Sequence, residues 1–149
     1  MTGGEAGSDR SVITFMGVAH PWQCDTMGHM NVRHYAAMFD DASFQLLGLV
    51  SGPDEPDRGW ADIRCEIDYR HETRAGTLLT IRSHVVALGR SSITYAHEMT
   101  GTLDGIAHAR AKVVSVRFDL DKRIKMDIED DVRQSATELM HPAALRLEA

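Results

Sequence analysis

The chain has 149 residues and a formal net charge of −6 at pH 7, from 16 Lys and Arg against 22 Asp and Glu. Apolar residues make up 43% and charged residues 26%, which argues against disorder and favours a single folded domain. The acidic balance argues against a nucleic-acid partner, and no apolar run is long enough to span a membrane. We therefore expect a soluble, cytoplasmic protein.

The chain opens on ten residues, 1–10, that hold three glycines and mixed charges without periodicity, which predicts a flexible tail. Residues 11–149 are predicted to form one domain. Its first strand is expected over Ser11–Ala19, because the apolar residues there alternate loosely. His20 and Pro21 then end the strand, since proline removes a ladder donor.

A helical period runs from Asn31 to Leu47. Apolar residues spaced three and four apart form one stripe, made of Tyr35, Met38, Phe39, Ala42 and Leu46. Asn31 is the predicted N-cap, because its side-chain oxygen can accept from an amide of the first turn, and Gly48 is the predicted end. The following segment, Ser51–Gly59, holds two prolines and three acids and is predicted to be a loop.

After this loop the apolar period changes from 3.6 to 2, which indicates strands. Ile63–Arg70 predicts a half-buried strand whose apolar face holds Ile63, Cys65, Ile67 and Tyr69. Thr77–Leu88, Ser92–Leu103 and Ile106–Phe118 predict three more strands, the last two joined at the hairpin signal Asp104-Gly105. The last strand is apolar enough over Val113–Val116 for a central position, and a short helix is expected near Ile128–Leu139.

One strand, one long helix and four further strands predict an α+β domain with a five-stranded antiparallel sheet. A single helix cannot cover both faces of such a sheet. The remaining apolar face, or an edge strand, is therefore expected to meet a second copy of the chain, which predicts a homo-oligomer.

The densest polar cluster lies between the first strand and the long helix. The first turn of a helix has amides without internal partners, and the helix dipole favours negative charge there. Asp25 lies in the preceding loop, and Gly28 allows the backbone to turn sharply. A carboxylate facing such amides is the minimum for attack on a carbonyl. A loop aspartate just before a helix is more often a turn or capping residue than a catalyst, and His29 or His34 alone is more often a capping, packing or solvent-facing residue.

The string from Asp25 through Gly28, His29 and Asn31 to Tyr35 resembles the D-x-x-G-H-x-N-x-x-x-Y signature of hotdog-fold acyl-CoA thioesterases. These form the 4-hydroxybenzoyl-CoA thioesterase-like family. The likeness extends from about residue 12 to about residue 132, because the order of strands and helix matches as well. It implies a hotdog fold, with the sheet wrapped around one long central helix, and hydrolysis of the thioester between an acyl group and coenzyme A or an acyl carrier.

The resemblance also implies roles for single residues. Asp25 attacks the thioester carbonyl or activates a water, and the amide of Val32 stabilises the oxyanion. His29 and Asn31 hold the loop and the aspartate, and Tyr35 supports the helix and the pocket wall. The site forms between two subunits of a homodimer or homotetramer. No cofactor or metal is expected, because a thioester is already an activated acyl donor.

Two positions depart from the family pattern: Gln23 replaces an earlier aspartate, and Val32 replaces a second asparagine. Both departures alter the polarity of the pocket and hence the acyl preference. The phosphates of coenzyme A need local cations, and Arg90 is the first candidate because its loop, with Ser91, matches the family. Trp60 is a candidate for lining the acyl pocket, although aromatic side chains at strand spacing are usually core residues.

Three alternative functions stay open at this point. The first is a non-catalytic module that binds acyl or aryl ligands, and the second is an enoyl-thioester hydratase or dehydratase that uses Asp25 with His29. The third is a zinc protein, since five potential ligands lie within fifteen residues: His20, Cys24, Asp25, His29 and His34. The chain has neither C-x-x-C nor H-E-x-x-H, so zinc is the least favoured.

Overall fold

The computed structural model describes residues 10–53 and 55–140. The elements in chain order are β1 (Val12–Val18), a 3₁₀ turn (Pro21–Gln23), α1 (Val32–Ser51), β2 (Arg58–Tyr69), β3 (Leu78–Leu88), β4 (Ser92–Gly101), β5 (Ala107–Asp119), β6 (Ile124–Lys125) and α2 (Asp130–Glu138). The predicted tail, apart from Arg10, and residues 141–149 of the predicted domain lie outside the described residues. Neither described helix is long and apolar enough to cross a membrane.

The strands form one antiparallel sheet in the order β1-β3-β4-β5-β2. The predicted α+β class and the five strands are confirmed. The two-residue strand β6, which pairs with β5, was not predicted, because two residues are too few to show a period. The apolar stretch Val113–Val116 lies on β5, which pairs on both sides as its composition indicated.

The long helix buries its predicted apolar stripe against the sheet, and each member of the stripe is at most 5% exposed. Its first half packs against the buried residues Leu79, Ile81 and Met99, and its second half against Val85, Ile93, Tyr95 and Val113. Full burial of one such side chain contributes roughly 1.5–3 kcal/mol, so this contact fixes the helix on the sheet.

The helix does not end at Gly48 as predicted. It continues to Ser51, because Leu47 and Val50 extend the buried stripe beyond that glycine. A glycine inside a helix costs about 1 kcal/mol, which is less than the burial of these two side chains contributes. The helix ends at Gly52, whose φ of 77° lies in the left-handed region that favours glycine.

Strand β2 corrects two further predictions. It begins at Arg58, inside the predicted loop, because Arg58 and Gly59 pair with the end of β5. Its apolar face is less buried than predicted: Ile67 packs against the core, whereas Ile63 is 63% and Tyr69 is 51% exposed. The reason is its position: β2 is an edge strand, interrupted by a bulge between Asp62 and Arg64.

The register defines the two ends of the sheet. The end of β1, the start of β3, the end of β4, the start of β5 and Tyr69 of β2 lie together, and we call this the Tyr69 end. The start of β2, the turn between β3 and β4 and the end of β5 lie at the opposite, Trp60 end. The loop that follows β1 and leads into α1 is therefore at the Tyr69 end.

Candidate active site at the start of the long helix

The loop between β1 and α1 is closed by Gln23, a residue that is 9% exposed. Its side-chain Oε1 accepts from the amide of His20 at 2.8 Å, and its carbonyl accepts from the amide of Asn31 at 2.9 Å. The amide side chain that replaces the family's earlier aspartate thus has a structural task in this chain.

Asp25 lies at the exposed tip of this loop. Its Oδ1 accepts from the amide of Met27 at 2.9 Å, and its carbonyl accepts from Gly28, whose φ of 83° permits the turn. The other carboxylate oxygen accepts no hydrogen bond from the described residues, and no cation among them pairs with Asp25. The carboxylate therefore both shapes the turn and keeps one oxygen open to solvent.

The helix begins as the sequence predicted, with Asn31 as the N-cap. The Asn31 Oδ1 accepts from the amide of Arg33 at 3.1 Å, and the Asn31 carbonyl accepts from the amide of His34 at 2.9 Å. The amide of Val32 has no acceptor among the described residues. The cap thus occupies the neighbouring amides and leaves the Val32 N–H available to a ligand.

His29 anchors the loop to the segment that follows β2. Its Nε2 lies 2.7 Å from Oε2 of Glu72, its backbone forms a bridge with Arg74, and its carbonyl accepts from the amide of Asp25 at 2.9 Å. No hydrogen bond joins the imidazole to the Asp25 carboxylate in the described residues. His29 therefore contacts the aspartate through the backbone.

A cleft of about 330 Å³ opens at this point. It is lined by His29, Met30, Val32, Tyr35, Tyr69, Arg70, His71 and Glu72. Asp25 and Asn31 do not line it. The structure thus brings three of the predicted site residues together in one cleft, and it places the Asp25 turn on the loop that carries His29.

Behind the cleft a chain of buried hydrogen bonds holds Tyr35. The Tyr35 hydroxyl donates to Oγ1 of Thr73 at 2.7 Å, and that oxygen lies 2.9 Å from Nδ1 of His108. The Nε2 of His108 is buried without a partner among the described residues. Burial raises the pKa of the Tyr35 hydroxyl above 10, so this side chain is neutral and acts as a wall.

Sequence reasoning missed Thr73 and His108. They are 35 residues apart and meet Tyr35, which precedes Thr73 by 38 residues, only through the fold. Neither residue belongs to a local sequence motif, so the sequence alone could not identify them.

A family model of the thioesterase-like superfamily matches residues 19–135. The chain belongs to the thioesterase-like superfamily. The match includes the loop, the helix start and all strands after β1, so the family resemblance of the Asp25–Tyr35 string is confirmed.

Solved structures of this superfamily's fold align over nearly the whole domain. A predicted thioesterase from Bacillus stearothermophilus is 24% identical, covering 85% of this chain and 96% of that one, with a TM-score of 0.73. A 1,4-dihydroxy-2-naphthoyl-CoA thioesterase from Synechocystis is 15% identical, covering 85% and 96%, with a TM-score of 0.74. A Staphylococcus aureus protein in complex with CoA is 12% identical, covering 87% and 84%, with a TM-score of 0.78. These similarities show the hotdog fold.

No curated protein sequence matches the chain at a significant level.

Three further residues that were predicted to bind substrate, Arg90, Ser91 and Trp60, lie elsewhere within one chain. Arg90 and Ser91 form the turn at the Trp60 end, where their carbonyls accept from Ile128 and Arg117. Trp60 donates from Nε1 to Oγ of Ser51 at 3.0 Å. Strand β3 alone has 11 residues, and at about 3.3 Å per residue it separates the two ends by roughly 35 Å. Within a single chain these three residues therefore lie far from the cleft.

The potential zinc ligands of the loop are dispersed by its packing. The His20 ring stacks on Trp22 with centroids 6.1 Å apart, the His34 ring meets Trp22 edge-on at 5.4 Å, and Sγ of Cys24 lies 3.7 Å from the His20 carbonyl oxygen. Across the described ranges, no three His, Cys, Asp or Glu side chains converge in a metal-binding arrangement. The geometry of these residues therefore does not support the zinc alternative.

Proposed function

We propose that the chain hydrolyses the thioester of an acyl-coenzyme A, or of an acyl carrier, to the free acid and the thiol. The observation that carries this proposal is that Val32 lines the cleft at the start of α1 and that its amide has no acceptor among the described residues. A free amide at a helix N-terminus stabilises the negative oxygen that forms when a thioester carbonyl is attacked.

Asp25 activates the attacking water in this proposal. Its unoccupied oxygen takes a proton from water while the water oxygen bonds to the carbonyl carbon; the carbon–sulfur bond then breaks, and the thiolate leaves and is protonated. The alternative order, in which the carboxylate itself attacks and the resulting anhydride is hydrolysed, uses the same two residues. Asn31 and His29 act by holding the Val32 amide and the Asp25 backbone in place. Neither order needs a cofactor or a metal, because the thioester is already activated.

A coenzyme A substrate is supported by the Staphylococcus aureus relative in complex with CoA and by the naphthoyl-CoA thioesterase. The cytoplasmic location expected from the sequence is consistent with such a substrate and stays a prediction.

A homo-oligomer completes this proposed site. Strand β2 is an exposed edge, and two such edges pairing antiparallel place the Trp60 end of one chain beside the Tyr69 end of the other. Arg90, Ser91 and Trp60 then approach the cleft from a second copy. This arrangement explains why residues of one predicted site lie roughly 35 Å apart along a single chain.

The test is a panel of acyl-CoA thioesters assayed for free thiol. Asp25→Asn keeps an oxygen for the turn to Met27 and removes the base, so we expect turnover to fall by roughly 10²–10⁴-fold with the fold intact. Asp104→Asn is the matched control, because Asp104 forms the same turn with the amide of Ile106 at 3.0 Å, on the hairpin between β4 and β5, and does not line the cleft.

Wild-type turnover in Asp25→Asn would remove this residue from the mechanism. Substrate binding without any thiol release would favour the non-catalytic binding module, and a changed acyl group on an intact thioester would favour the hydratase or dehydratase.

A further inference from the structure

When the Asp25 carboxylate itself attacks the thioester, the hydrolysis needs a second base. The attack turns Asp25 into an anhydride, and an acylated carboxylate no longer accepts a proton from water. Efficient cleavage of the anhydride therefore requires another proton acceptor in the cleft. The inference drawn from this requirement rests on the proposed thioester hydrolysis.

Among the residues that line the cleft, His71 is the base whose side chain no other side chain in the described part of the chain occupies. His29 and Glu72 engage each other, with Nε2 of the imidazole 2.7 Å from Oε2 of the carboxylate. The two tyrosines carry phenol hydroxyls, which are weak proton acceptors, and Arg70 is a permanent cation. His71 is thus the group in the cleft that is free to accept a proton.

A backbone carbonyl fixes the tautomer of His71. Its Nδ1 lies 2.8 Å from the carbonyl oxygen of Glu72. Because a carbonyl oxygen only accepts, Nδ1 carries the hydrogen, and the neutral ring keeps its lone pair on Nε2. Nε2 has no hydrogen-bond partner among residues 10–53 and 55–140. The ring is held in the form that takes a proton at Nε2, and the bond from Nδ1 to the carbonyl stabilises the resulting imidazolium.

The fold also holds the position of His71. Its amide donates to the carbonyl of His108 at 3.1 Å, which joins the segment after β2 to the start of β5. The two imidazole rings meet edge-on, with centroids 5.3 Å apart and an interplanar angle of 86°. His108 is buried and is hydrogen-bonded to Thr73. The exposed ring of His71 therefore packs against a fixed, buried ring, as a positioned catalytic group requires.

We propose that His71 is the general base that activates water for the hydrolysis of an acyl–Asp25 anhydride. In the first step a carboxylate oxygen of Asp25 bonds to the acyl carbon and the carbon–sulfur bond breaks. The thiolate leaves with the electron pair and takes a proton from solvent. The Val32 amide stabilises the negative oxygen that forms in this step.

The second step regenerates both side chains. A water oxygen bonds to the acyl carbon while Nε2 of His71 takes the water proton. The bond between the acyl carbon and the Asp25 oxygen then breaks, and its electron pair returns to the carboxylate. The free acid departs, and His71 releases its proton to solvent. Direct attack of water with Asp25 as the base needs no second base, so the role of His71 distinguishes the two orders.

The test variant is His71→Gln, which removes the base and keeps a polar side chain. We expect a rapid burst of about one thiol per active site, the kinetic sign of an accumulating acyl-enzyme. The steady rate that follows is expected to be at least roughly tenfold below that of the wild type, because a general base contributes roughly 10²–10⁴-fold. Stopped-flow detection of thiol measures both phases. The double variant Asp25→Asn/His71→Gln is expected to show no burst, because it has no carboxylate to be acylated.

Hydroxylamine provides a second readout, because it attacks an anhydride without a base and yields an acyl hydroxamate. After subtraction of the uncatalysed reaction, we expect it to raise the steady rate of thiol release in His71→Gln at least roughly tenfold and to leave Asp25→Asn unchanged. His20→Gln is the matched control, since His20 is an exposed histidine that does not line the cleft. It is expected to behave as the wild type.

The outcomes separate the role of His71 from the proposed enzyme activity. Wild-type turnover in His71→Gln, or a loss of turnover without a burst and without hydroxylamine rescue, would overturn the role of His71 alone. Absence of thiol release from the wild type with every acyl-CoA of the panel would overturn the proposed hydrolysis and the role of His71 together.

Discussion

Asn31 shows how a single side chain prepares an unpaired backbone donor. By accepting from Arg33 through its side chain and from His34 through its carbonyl, it fixes the first turn while the Val32 amide keeps no acceptor among the described residues. Capping therefore stabilises the helix and, in the proposed mechanism, orients the oxyanion donor.

Two substitutions at Asn31 separate these effects. Asn31→Ala removes the cap and is expected to lower the free energy of unfolding by about 1 kcal/mol. Asn31→Asp keeps a capping oxygen and is expected to preserve stability, but its added negative charge next to the Val32 amide is expected to lower kcat/KM by at least roughly tenfold. Urea unfolding and the thiol-release assay measure the two quantities, and full activity in Asn31→Asp would contradict the assigned role of the amide.

At the scale of elements, a buried polar network joins β1, β3, β4 and α1. The imidazole of His97 lies between the hydroxyls of Ser43 and Ser83, and Ser83 lies 2.7 Å from Oγ1 of Thr14. His97 is fully buried and stacks on Phe39. Burial, with a smaller contribution from His84, lowers the pKa of His97 from 6.5 to about 4.

This pKa shift predicts how stability depends on pH. Between pH 6.5 and 4 the unfolded chain binds a proton at His97 that the folded chain does not, so the contribution of neutral His97 is complete above pH 6.5 and is lost as the pH falls towards 4. The expected loss is about 3 kcal/mol in the free energy of unfolding. Urea unfolding at a series of pH values measures it.

His97→Gln, which retains polar groups for both serines, is the control for this pH dependence and is expected to flatten the stability profile between pH 6.5 and 4. The stability that ionised Glu129 contributes is lost at lower pH than that of His97, because Arg117 lowers the pKa of the Glu129 carboxyl from 4.5 to about 2. An unchanged profile in His97→Gln would show that another group governs the transition.

At the scale of the whole molecule, the proposed homo-oligomer forms along the edge strand β2. Ile63 is 63% exposed at this edge, and a charge there opposes the approach of a second copy. We expect Ile63→Lys to shift the chain towards monomer in analytical ultracentrifugation and to reduce thioester turnover. Leu103→Lys, at a hairpin position that is 84% exposed, is expected to change neither. A monomeric wild type with full activity would contradict the oligomer.

Much of the domain could be predicted because its signals are local. The apolar stripe of α1, the Asn31 cap and the alternation of β4 each reflect neighbouring residues, and all three are confirmed. The helix end at Gly48 and the burial of β2 were wrong, because they depend on what the rest of the fold places beside them.

The candidate site divides in the same way. The Asp25 loop carries a contiguous motif, so the sequence located it before the fold was known. The Tyr35–Thr73–His108 chain of hydrogen bonds joins segments distant in sequence, so no local sequence pattern predicts its contacts. Arg90 and Trp60 reach the cleft only if a second copy binds, and local sequence patterns do not encode how two copies pair.

The bulge in β2 has a consequence for how far association can proceed. It interrupts the β2–β5 ladder between Asp62 and Arg64, so the regular stretch of β2 open to an incoming strand runs from Arg64 to Tyr69. When two chains pair antiparallel along that stretch, the outward-facing backbone donors and acceptors of both β2 strands are hydrogen-bonded to each other. A third chain finds no vacant β2 on which to add, so growth there stops at a pair and does not run on into a fibril.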